Sequence, residues 1–202
     1  IIKFSGGNLL LALIFTMIVS LILGMGLPTV GAYLIVAVLG VPALVKMGIS
    51  VMAAHLFAFY FAIVANITPP VAIAAYIGAG IAHTSPMKVG FTACRFGLVT
   101  FIIPYVFVYE PALILEGSVS QIILISLAAT IGVYVLAAAL EGYMFCKTTR
   151  LERIAFGVSA ILLIWPSHLL SVIGAMIAAV FVGTQWQRAK EIEVYKKSLS
   201  EA

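Results

Sequence analysis

Between Lys3 and Lys46 no side chain carries a formal charge, and none does between Lys46 and Lys88. Each run of about 40 residues is long enough for two membrane passes at ~20 residues per pass. The rest of the composition agrees. Hydrophobic residues make up 64% of the chain and charged ones 9%, against roughly 45–50% and about 25% in an ordinary soluble domain. A water-soluble globule is excluded, and the chain reads as an all-α, polytopic membrane protein. Cys94 and Cys146 lie in apolar stretches without CxxC spacing, so they read as small buried hydrophobes, not as a disulfide or metal framework. The chain opens Ile-Ile-Lys with no signal-peptide pattern, and we expect it to be the C-terminal portion of a larger permease.

Apolar length and breakers divide the chain. Segments Asn8–Leu23 and Val30–Val45 are joined by Gly24-Met25-Gly26-Leu27-Pro28-Thr29, which has no charge and no cluster of strong polar groups. A connector of that kind is expected to turn inside the membrane, making a re-entrant helical hairpin. Ser50–His83, at roughly 34 residues, would reach ~51 Å as one straight helix, well beyond a ~30 Å hydrocarbon core. Asn66-Ile67-Thr68-Pro69-Pro70 marks the break. Consecutive prolines remove two backbone donors and push the preceding residues out of helical geometry, so half-helices of about 16 and 13 residues are expected. Met87–Val108 follows, with a kink expected near Pro104, then Ser118–Phe145. Ile154–Thr184 is divided at Trp165-Pro166-Ser167-His168, and a polar tail begins at Gln185.

The cluster Lys147, Arg150, Arg153 and the basic tail are the densest groups of cations. Both are expected on the cytoplasmic side, which would make the Ile154–Thr184 segment dip in and return. The loop from Glu110 to Glu116 and the ends of the first hairpin then lie outside.

Unwound backbone in lipid is tolerated only where protein or a wet cavity satisfies it. Broken helices in secondary transporters place carbonyls and half-helix ends around an ion or an anionic substrate. Thr29, Asn66 and Thr68, beside free carbonyls at Gly24 and Gly26, offer neutral oxygens suited to a small hard cation. From Phe4 to Tyr109 there is no carboxylate, and only His55 and His83 could relay protons. Na+ is therefore the expected coupling ion. Pro28, Pro69, Pro70 and Arg95 are candidates to meet the substrate. The plainer readings are kinks at the breaks, a bundle hydrogen bond for His55, a helix end for His83 and a snorkelling side chain for Arg95. Glu141 is expected to pair with the Lys147–Arg153 cluster. Tyr33, Tyr60 and Tyr76 read as packing residues. No catalytic motif is present, so an enzyme is not expected. An ion channel or a non-transporting membrane scaffold stand as alternatives to a transporter.

Four stretches carry a family resemblance: Gly24-Met25-Gly26-Leu27-Pro28-Thr29-Val30-Gly31-Ala32-Tyr33, His55-Leu56-Phe57-Ala58-Phe59-Tyr60, Ile67-Thr68-Pro69-Pro70-Val71-Ala72, and Phe101-Ile102-Ile103-Pro104-Tyr105 followed by Glu110-Pro111-Ala112-Leu113. They resemble the large membrane subunit of tripartite ATP-independent periplasmic (TRAP) transporters, in the variant fused to its small subunit and working with TAXI-type receptors. The resemblance implies the second repeat of an elevator-type transporter over residues 1–116, with hairpin 8–46, broken helix 50–83 and helix 87–108. Residues 117–202 would form a C-terminal transmembrane extension and cytoplasmic tail. It further implies import of organic carboxylates by cation symport at a bacterial or archaeal inner membrane. The partners would be an extracytoplasmic solute-binding protein, the small subunit or its fused equivalent, and the bilayer, with no cofactor and no nucleic acid. The family pattern often has Gly after Thr-Pro-Pro-Val. Here that position is Ala72, which leaves a backbone contact there open.

Overall fold

The computed structural model describes residues 2–165 and 167–200. They form helices, with no strand among the described residues beyond one isolated bridge between Tyr143 and Lys147. The chain divides into two units, Ile1–Leu115 and Glu116–Ala202. Four stretches, Thr29–Lys46, Pro86–Tyr109, Val119–Glu141 and Leu169–Val194, are long and apolar enough to cross a membrane. The chain is thus a multi-pass membrane protein.

The first unit opens with a short helix α1 (Ile2–Ser5) and α2 (Leu9–Gly24), whose N-cap Asn8 accepts from the Leu11 N–H at 3.2 Å. A tight turn leads into α3 (Thr29–Leu39) and α4 (Val41–Lys46). Pro42 at the start of α4 supplies no backbone donor, and the helix is interrupted at Gly40 just before it. The centre of the unit is α5 (Val51–Val64), continued by a 3-10 turn, Ala65–Ile67. The chain unwinds there and restarts as α6 (Ile73–Ile81). The half-helices have 14 and 9 residues, shorter than expected, because the unwound link extends through Val71.

Helix α2 packs on α5 through small residues. Ala12, Thr16, Ser20 and Gly24 are buried at four-residue spacing, and α5 repeats that spacing with buried Ala54, Ala58 and Ala62. Such stripes let helix backbones approach closely. The hydroxyls on the stripe are satisfied within α2, Thr16 donating to the Ala12 carbonyl at 2.8 Å and Ser20 to that of Thr16 at 2.7 Å.

After α6 come α7 (Pro86–Phe96) and α8 (Leu98–Tyr109), then a 3-10 turn, Pro111–Ile114. Helix α8 runs through Pro104, and the interruption in this segment falls at Gly97 instead. A Cβ at Gly97 would come within 2.7 Å of Ile67 Cδ1, so the missing side chain admits the broken helix. An aromatic cluster holds α8 against α5. Phe57 and Tyr105 lie 5.2 Å apart, edge to face, Phe61 and Phe101 lie 6.3 Å apart, and Tyr105 donates to Met17 Sδ at 3.1 Å.

The second unit is α9 (Val119–Glu141), α10 (Arg150–Ile164) and α11 (His168–Ser200). Capping boxes open α9 (Ser118 with Gln121) and α10 (Thr149 with Glu152). Helix α9 stops at Glu141, short of the expected Phe145, because Gly142 takes a left-handed φ of 73°. The tail expected to begin at Gln185 is a continuation of α11. Of the expected divider, Pro166 lies outside the described residues.

Helix α10 packs between α9 and α11. A Cβ on Gly132 of α9 would meet Ile164, and one on Gly174 of α11 would meet Leu162. At the other end, Arg153 Nε donates to the Ala139 carbonyl at 2.5 Å and Gln185 reaches Glu152 at 2.7 Å. Both neighbours therefore run antiparallel to α10, and the two basic clusters meet at one end of the unit.

Candidate ion and substrate site

The two backbone breaks are neighbours. Asn66 Nδ2 donates to Thr29 Oγ1 at 3.3 Å and to the Ile63 carbonyl at 3.1 Å. The amide of the broken helix thus ties the start of α3 to the end of α5. With both donors of its NH2 group engaged, Asn66 is left with its amide oxygen as an acceptor.

Thr68 closes the same helix end. Its hydroxyl donates to the Val64 carbonyl at 2.8 Å and its N–H to that of Ala65 at 3.2 Å, while its backbone turns to extended geometry at φ −97°, ψ 119°. A hydroxyl that donates to a helix carbonyl keeps its oxygen lone pairs for another partner. Thr29, Asn66 and Thr68 are each only partly buried.

Each remaining candidate has a definite place. Gly24 is a packing position: a Cβ there would stand 2.5 Å from Ala65 Cβ and 3.0 Å from the Ala62 carbonyl. Gly26 lies in the turn with open space around it, and Pro28 caps α3 from an exposed position. Pro69 packs beside Gly90 of α7, where a Cβ would come within 3.2 Å of the proline ring. The Pro69–Pro70 peptide is cis. Pro70, Val71, Ile73, Tyr76 and Ile77 line a groove of about 560 Å³, and Tyr76 Oη donates to the Pro70 carbonyl. Arg95 is exposed on the last turn of α7. Among the described residues no cluster of three or more His, Cys, Asp or Glu is placed to hold a metal ion.

Two plainer expectations resolve. His55 Nδ1 is hydrogen-bonded to Tyr33 Oη at 2.9 Å, a second polar link between α3 and α5, and Phe59 meets Tyr33 edge to face at 5.3 Å. His83, at φ 48°, ends α6 on the surface, where the Thr84 N–H returns to the Ala79 carbonyl at 3.1 Å and that of His83 to Gly80 at 3.4 Å, the paired bonds of a Schellman ending. On the neighbouring helices Gly90 marks a close contact and Gly80 has open space.

Sequence reasoning missed Gly97, the α2–α5 stripe and the backbone of Ala72. The first two were present in the letters as an isolated Gly in a helical run and as a four-residue repeat. Ala72 is fully buried in left-handed geometry, φ 34° and ψ 52°, at the start of α6. The position where the family pattern often has Gly therefore demands a Gly-like backbone here.

The sequence model of one protein family, described as Tripartite ATP-independent periplasmic transporter, DctM component, matches residues 1–122. No curated protein and no solved structure matches the chain.

Proposed function

The chain belongs to the DctM component family of tripartite ATP-independent periplasmic transporters, and on that premise we propose that it imports organic carboxylates by Na+ symport, receiving them from an extracytoplasmic receptor of the TAXI type. The supporting observation is the Asn66–Thr29 hydrogen bond at 3.3 Å, which joins the hairpin turn to the unwound link. Thr29, Asn66 and Thr68, with carbonyls of the link, hold the ion in this reading. Gly24 sets how closely the turn approaches by its packing, and Gly26 leaves the turn open beside it.

Neutral ligands give the coupling its physical basis. A Na+ held without a carboxylate keeps its full charge, and in a site of reduced dielectric that charge attracts an anionic substrate. By linkage the substrate then raises the affinity for the ion by the same factor. The exposed Pro28, Pro69 with its neighbour Pro70, and the cation of Arg95 border the substrate path.

The test is uptake in proteoliposomes containing the complete transporter and its receptor. Uptake should require an inward Na+ gradient, fall at least about tenfold in Thr68→Val, the scale of a lost hydrogen bond to a charge, and survive in Thr68→Ser. Equal uptake with and without Na+ would reject the coupling.

A further inference from the structure

We propose that the basic end of the second unit is a binding surface for anionic phospholipid in the membrane leaflet. The fold assembles this end from two stretches far apart in sequence. Arg188 Nη1 lies 2.6 Å from Glu152 Oε1, and its Nη2 donates to the Lys147 carbonyl at 3.1 Å. Cys146 N–H donates to Gln185 Oε1 at 3.3 Å.

With Glu141 at the end of α9 counted, residues 141–153 and 188–197 carry seven cations against four carboxylates, a net +3 of the chain's +4. Arg188 is paired with Glu152, while Lys147, Arg150 and Lys190 are exposed.

The geometry suits a membrane–water boundary. Val119–Glu141 and Leu169–Val194 are long and apolar enough to span; the first ends here, and the second passes this level at Gln185–Arg188. Tyr143, Phe145 and Trp186 are exposed large aromatics at the same level, the arrangement of an interfacial belt. Lys190 Nζ sits 3.7 Å over the Trp186 ring, a cation–π contact that keeps this ammonium beside the aromatic.

Between the 143–147 turn and α11 runs a groove of about 350 Å³ whose seven lining residues include Tyr143, Phe145, Lys147, Ile192 and Glu193. Its apolar walls fit acyl chain and its lysine fits phosphate. Glu193 is the single carboxylate in the lining and is outweighed by the surrounding cations. Juxtamembrane basic clusters attract anionic headgroups by roughly fivefold in affinity per cation.

The experiment uses the full chain with Trp165→Phe, which leaves Trp186 the one tryptophan in these 202 residues. It is reconstituted into phosphatidylcholine vesicles doped with brominated phosphatidylglycerol or brominated phosphatidylcholine. The anionic probe should quench Trp186 at a mole fraction at least about threefold lower. That preference should vanish in the triple variant Lys147→Gln, Arg150→Gln, Lys190→Gln and persist in Lys147→Arg, Arg150→Lys, Lys190→Arg, with far-UV circular dichroism reporting that both are folded. Equal quenching by the two lipids, or a preference unchanged in the neutralised variant, overturns the proposal. Neither result depends on substrate uptake, so its failure is separable from failure of the transport reading.

Discussion

At single residues, two backbone positions set the geometry of the candidate site. Ala72 holds a left-handed conformation that costs an L-residue roughly 1–2 kcal/mol. Its methyl is fully buried and stabilises by about 0.8 kcal/mol. The two terms nearly cancel, so Ala72→Gly should change stability by less than about 1 kcal/mol. Ala72→Val adds β-branching to the same backbone and should lose more than about 2 kcal/mol. Thermal melts of the detergent-purified protein separate the two outcomes. Gly24 is the complementary case. Gly24→Ala adds helix propensity of up to about 1 kcal/mol, but its Cβ would stand 2.5 Å from that of Ala65, and overpacking of that kind costs about 1–3 kcal/mol. A net loss near 1 kcal/mol is expected. Adding Ala65→Gly should recover part of it, which a double-mutant cycle would read as coupling above about 0.5 kcal/mol.

At the level of helices, polar ties fix the ends and small or aromatic side chains fix the faces. Glu152 is the clearest tie. It accepts from the Thr149 N–H at 2.6 Å, Gln185 Nε2 at 2.7 Å and Arg188 Nη1 at 2.6 Å, joining α10 to α11. Burial pushes its carboxyl up. The Thr149 backbone and the Gln185, Thr149 and Arg188 side chains outweigh that and hold it below the ordinary 4.5. A carboxyl depressed on folding stabilises above its unfolded value, and that stability is lost as pH falls from about 4.5 through the lower folded value. Melting temperature should therefore drop in that window, and Glu152→Gln should lower it at pH 7 while flattening the acid dependence. Arg188 is 38% exposed, so solvent screening keeps the loss on Arg188→Gln to about 1 kcal/mol. Helix existence was legible here from apolar length and caps. The partners of Glu152 were not, because Gln185 lies 33 residues away and only the antiparallel return of α11 brings it close.

At the scale of the whole chain, the positive-inside bias predicts that the two ends of α9 face opposite sides of the membrane. Its 23 residues rise about 35 Å, enough for a ~30 Å core. With Cys94 and Cys146 replaced by Ser, a cysteine at Ser118 should react with a membrane-impermeant maleimide in intact cells. One at the exposed Gln187 should react only after permeabilisation, and the reverse pattern would invert the orientation. Sequence alone determined that this chain lives in lipid, because charge-free runs of about 40 residues admit no other solvent. It also determined the breaks at Gly24–Thr29 and Asn66–Pro70, because adjacent prolines and charge-free glycine turns do not continue a helix, while the interruption at Gly97 in place of Pro104 was left to the packing against Ile67. The family was equally legible, since its motifs are long local strings. What only the tertiary structure decided is which breaks meet. The Asn66–Thr29 bond spans 37 residues, the Gly97–Ile67 approach 30, and the merging of the two basic clusters about 40. Each depends on how close two backbones can come, which small residues on opposing helices permit but no local pattern announces.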